Sequence, residues 1–181
     1  MKKYTLLALC LFFSFILCAD DVKSFNKEEL PTSFHEIGIG MSLEDVKDKL
    51  KNDASFAYRG DRDVSLLNNQ NRSSIESEGV HFVKRGSFQF YNEKLYSIIV
   101  QMNPNNIDYY SIYSSLIEKY GEPNLVDQKK ALWENESIRL VLERPLTIKY
   151  IDLSVFNEIL ASKTKKEVLS DEVRERFINA F

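Results

Sequence analysis

Two stretches limit what this chain can fold into. In SFQFYNEKLYSIIVQM, residues 87–102, Phe88 and Phe90 alternate with polar neighbours up to Asn92-Glu93, and Leu95 to Val100 follow as an apolar, β-branched run. In ALWENESIRLVLERPLTIKYIDL, residues 131–153, Trp133 precedes Asn135-Glu136, and Ile138, Leu140 and Leu142 then alternate with Arg139, Val141 and Glu143. A period of two with a turn between the halves is the signature of a β-hairpin. Pro145 has no amide to donate to a ladder, so it marks a break before a further strand over Leu146–Leu153.

Helical periodicity precedes each block. In HEIGIGMSLEDVKDKL, Ser42 and Asp45 form an approximate capping box, and Met41 and Val46 stand at the spacing of a hydrophobic staple. Leu43, Val46 and Leu50 make one apolar stripe. In NIDYYSIYSSLIEKYGEPN, Asp108 is placed to cap a helix whose apolar positions are Tyr109, Ile112, Tyr113, Leu116, Ile117 and Tyr120; Gly121 and Pro123 stop it. At the C-terminus, Leu169, Val173, Phe177 and Phe181 recur on one side, with Ser170 as a cap, which predicts a helix over 168–181.

Helix plus hairpin, twice, predicts an α+β fold: an antiparallel sheet with helices packed on one face. Phe90-Tyr91-Asn92-Glu93-Lys94-Leu95 matches Trp133-Glu134-Asn135-Glu136-Ser137-Ile138 as aromatic, any, Asn, Glu, any, aliphatic. The expectation is two tandem units, 35–103 and 104–160, within a single domain at 35–181, with Phe90 and Trp133 equivalent. A polar N-terminal arm at 20–34 precedes the domain.

Residues 1–19 read as a secretory leader: Lys2 and Lys3 form the positive start, an apolar run follows to Leu17, and small Ala19 precedes Asp20-Asp21. Bulky Leu17 before Cys18 fits a lipoprotein signal poorly, so cleavage after Ala19 is expected. Cys10 and Cys18 are the only cysteines. Without them an exported domain depends on its core rather than on disulfides. Losing Lys2 and Lys3 from the 24 basic residues, against 27 acidic ones, leaves a net charge of about −5. That composition lacks the basic face of a nucleic-acid binder. The expected location is the periplasm or cell envelope, with membrane contact only through an acylated Cys18 or a docked C-terminal helix.

On Gly40, Ser42, Asp45 and Val46, the opening of the domain resembles the SmpA/OmlA family of small outer-membrane assembly proteins. Tyr120, Gly121 and Pro123 are similar to the helix-ending motif of that family and of the related β-lactamase-inhibitor-protein architecture. The resemblance implies a tandem α/β fold and a role among envelope proteins.

Few residue patterns carry chemistry. His35 and His81 are the only histidines. A structural zinc needs about four His or Cys ligands, so no metal or other cofactor is expected. His35 is read as solvated on the approach to the first helix, and His81 on the polar side of a strand. No nucleophile elbow, phosphate loop or dinucleotide fingerprint occurs. A hydrolase would use Asp61, Asp63, Glu76 or Glu78, but their flanks promise no burial to raise a pKa. Arg59-Gly60-Asp61 reads as a turn before it reads as an adhesion tripeptide. The connection from Arg59 to Gly79 mixes both charge signs around few apolar residues, which predicts a mobile insertion that orders on binding. The candidate partner surface is therefore Arg59, Asp61, Arg62, Asp63 and Arg72, with Phe177 and Phe181. The partner is another envelope protein, and no residue is assigned a catalytic role.

Overall fold

A computed structural model describes residues 30–67 and 71–179. The leader at 1–19, most of the expected arm, and Phe181 lie outside the described residues. The fold is α+β. In chain order it has β1 (Ser33–Phe34), β2 (Ile37–Gly38), α1 (Leu43–Asn52), a 3₁₀ turn (Gly60–Asp63), β3 (Val64–Leu67) and β4 (Arg72–Glu78). Then come β5 (Val83–Tyr91), β6 (Lys94–Met102), α2 (Tyr109–Tyr120), β7 (Leu125–Val126), β8 (Lys130–Glu134), β9 (Ile138–Glu143), β10 (Thr147–Asp152) and α3 (Leu153–Ile178).

Local chemistry sets most boundaries. Ser42 and Asp45 close the capping box of α1, with Ser42 Oγ accepting from the Asp45 amide at 3.2 Å. Asp108 caps α2 by accepting from the Ser111 amide at 2.9 Å. Gly121 ends that helix at φ 75°, where a side chain would be strained. Asn92 and Glu93 both take positive φ, the geometry of a two-residue turn matched to strand twist.

Eight strands pair antiparallel in the order β3-β4-β5-β6-β10-β9-β8-β7. Register places Ile75, Phe88, Ile98, Tyr150, Leu140 and Trp133 in one row across six strands. All six are buried. Val46 and Leu50 of α1 and Leu116 of α2 complete this core, so those two helices cover one face. Trp133 also donates its indole N–H to the Gly121 carbonyl at 2.8 Å, fixing the end of α2 over β8.

Several expectations change. The body begins earlier than residue 35, because Leu30 is buried and Ser33–Phe34 form β1. The C-terminal helix begins at Leu153 rather than 168: Asp152 caps it through the Ser154 and Val155 amides, and no Gly or Pro follows to stop it. Its first turns reach the other sheet face. Leu153, Ile159 and Val141 are buried outside the main core, and Tyr91 donates to Glu158 at 3.2 Å. His81 lies in a turn at φ 53°, not in a strand.

The segment from Arg59 to Gly79 supplies the 3₁₀ turn and two strands rather than an irregular insertion. Its single well-buried aliphatic, Ile75, needs no more support because β5 provides a full ladder and Phe88 opposite it. Within the sheet, Phe90 sits on β5, next to the central β6–β10 pair, whereas Trp133 sits on β8, one strand further out. The matched motifs therefore occupy non-equivalent strands, although each half of the sheet follows its own helix.

Candidate functional site

Four residues of the expected partner surface, Arg59, Asp61, Arg62 and Asp63, lie together at the side of the sheet beside β4. Ala57 donates its amide to the Glu78 carbonyl at 2.8 Å, and Val64 stands opposite Ile75. Between those two points β4 advances by Glu76 and Ser77 only, while the neighbouring chain inserts Tyr58 to Asp63. The surplus must bow outward, and Gly60 at φ 78° lets it turn.

Asp63 ties the neck of this bow. Its side chain is 0% exposed, and it accepts from the Arg59 amide at 2.9 Å, Arg59 Nε at 2.9 Å and Arg59 Nη2 at 2.8 Å. A buried carboxylate is tolerated when it is paired and hydrogen-bonded in this way. The same pairing holds Arg59 above its ordinary pKa. Asp61 turns the other way, toward Lys47 of α1 at 3.3 Å. Glu44 first, and then Asp61, raise the pKa of the Lys47 ammonium. Arg59 is thus engaged within the fold, while the Asp61 side chain stays 92% exposed beside Lys47.

A cleft of about 260 Å³ opens between the bow and the sheet, lined by Arg59, Arg62, Asp63, Glu76, Glu78 and Arg85 among others. Glu76 and Glu78 share one face of β4, and Arg85 on β5 stands opposite Glu78 and 4.0 Å from Glu76. Reading the chain in order overlooked Arg85 and Lys47. Arg85 was out of reach of a period-two argument: it stands two residues from buried Val83 and faces outward only because β5 is irregular between them.

The other candidates lie elsewhere. Arg72 is at the far end of β4, about 20 Å away at 3.4 Å per residue, opposite Tyr91 and electrostatically coupled to Tyr96. Phe177 is exposed on the distal part of α3. His35 stacks on Phe34 and bonds Asp53 at 2.8 Å. Burial alone would raise Asp53, but the Ser55 amide and His35 outweigh it and hold this carboxyl below its usual range. Among the described residues no group of three His, Cys, Asp or Glu is arranged to hold a metal ion, and no helix is long and apolar enough to cross a membrane.

Comparison with known proteins gives no match among curated proteins and none among solved structures. The TP0088 domain family matches residues 32–162, which take in the whole sheet and end where α3 leaves the body. The chain belongs to the TP0088 domain family.

Proposed function

We propose that the chain is an exported envelope protein that binds another protein without catalysing a reaction, using the bow over β4 as its contact surface. The leader-like pattern of residues 1–19 supports export. The resemblance to SmpA/OmlA at Gly40, Ser42, Asp45, Val46, Tyr120, Gly121 and Pro123 supports a role in envelope assembly. The observation that carries the reading is the Arg59–Asp63 clasp, which fixes an exposed polar loop before any partner arrives. Preorganisation of that kind lowers the ordering cost of binding.

The hydrolase reading has less support. Two carboxylates would have to converge with one kept free and buried. Here Asp63 is committed to Arg59, Asp61 is exposed beside Lys47, and Glu76 and Glu78 are exposed neighbours on one strand face. The test is photo-cross-linking in living cells from position 62, with position 110, on the outward side of α2, as the control. Discrete protein adducts from position 62 and none from 110 are expected. Adducts only from position 177, or none at all, would overturn the choice of surface.

A further inference from the structure

The charges of the cleft specify the chemistry of what enters it. Three cations and three carboxylates line the cleft, but they are not equally available. Asp63 is wholly buried and saturated by three donors from Arg59, so that pair is spent on the fold. Arg62 makes no ion pair among the described residues. Arg85 meets Glu76 only at the 4.0 Å limit, with both side chains more than half exposed. Glu78 interacts with Arg59 only through space. Two cations, Arg62 and Arg85, and two anions, Glu76 and Glu78, therefore remain available to a ligand.

A simple anion entering this space would be attracted by Arg62 and Arg85 but would meet Glu76 and Glu78. A simple cation would meet the reverse. At equal distance, each like-charge contact opposes binding about as strongly as an opposite-charge contact favours it. The only ligand for which every contact is favourable carries both signs close together. The cleft volume of about 260 Å³ admits the ends of two side chains.

We propose that the cleft receives an adjacent acidic–basic side-chain pair of a partner protein, the acid seated against Arg62 and Arg85 and the base against Glu76 and Glu78. This deepens the binding reading and rests on it.

The test titrates the isotope-labelled mature protein with three capped peptides and follows its arginine Nε–H resonances. The probes are acetyl-Asp-Lys-amide, acetyl-Asp-amide and acetyl-Lys-amide. The two-charge probe should shift the Arg62 and Arg85 signals and bind at least about tenfold tighter than either single-charge probe, a difference of about 1.4 kcal/mol. Arg62→Gln and Glu78→Gln should each abolish that advantage while leaving the backbone spectrum folded. Equal binding of acetyl-Asp-amide would make the cleft an anion site and overturn the proposal, as would the absence of any shift with all three probes. Cross-linking from position 62 reads the protein-binding role independently, so adducts there without dipeptide binding would sink this inference alone.

Discussion

At the scale of single residues, burial and pairing decide which changes matter. Removing the Arg59 side chain leaves the fully buried Asp63 carboxylate with one backbone donor. Arg59→Ala should therefore cost about 1–3 kcal/mol, whereas Arg62→Ala, on the exposed side of the bow, should stay within about 0.5 kcal/mol. Urea unfolding of the two variants checks the contrast. Tyr150 gives a second case. Burial first, and then Tyr120, push its phenol well above the ordinary tyrosine value. The unfolded phenol ionises near about pH 10 while the folded one stays neutral. The stabilisation is therefore complete below that pH and is lost as pH rises beyond it. Tyr150→Phe should flatten the fall in melting temperature between about pH 10 and pH 11, and an unchanged alkaline slope would refute the assignment. The hydrophobic alternation that buries Tyr150 was legible in the sequence. The commitment of Arg59 to Asp63 was not, because an i, i+4 ion pair outside a regular helix depends on how the bow closes.

At the scale of elements, the two hairpins and α3 make different predictions. Phe90 and Trp133 occupy different strands, yet both are fully buried. Truncating either to Ala should cost about 3–5 kcal/mol, measurable by chemical denaturation. Trp133→Phe separates the lost indole hydrogen bond to Gly121 from the lost volume. Gly86 is constrained by packing: a Cβ there would lie 2.4 Å from Cε1 of Phe56, so Gly86→Ala should destabilise by about 1–3 kcal/mol. Along α3, Leu153 and Ile159 are buried, whereas Leu160, Val173, Phe177 and Ile178 are exposed. Ending the chain after Ser162 should accordingly change stability by less than about 0.5 kcal/mol, while ending it before Ile159 should not be tolerated. The expected start of this helix at 168 failed because Ser170 is as good a cap as Asp152 in isolation. What distinguishes them is that β10 ends at Asp152, so only there does the chain enter the helix from an extended residue.

At the scale of the whole molecule, the central contact joins β6 to β10, strands from opposite halves of the chain. Ile98 faces Tyr150 and Val100 faces Ile148 across that seam. The row of buried side chains therefore crosses both halves, and neither half has a closed core of its own. Residues 30–103 expressed alone should lack a cooperative thermal transition by circular dichroism, whereas residues 30–162 should keep one. A cooperative transition in the shorter fragment would mean that the first helix and its strands are an independent unit.

The sequence by itself determined the features whose free energy is local. Ser42 and Asp45 cap α1, Asp108 and Gly121 bound α2, Asn92-Glu93 turns the β5–β6 hairpin, and period-two alternation assigns a buried side to β8 and β10. Those choices depend on backbone groups a few residues away. Tertiary structure alone decided the rest. Arg59 to Gly79 looked too polar to order because its own apolar residues are few, yet β4 gains a ladder and a row of core contacts from β5. The cleft likewise assembles residues from the bow, β4 and β5, and Arg85 reaches Glu76 only once the register is set. Contacts between distant segments are stabilised by the sheet that collects them, so no window of sequence contains the energy that fixes them.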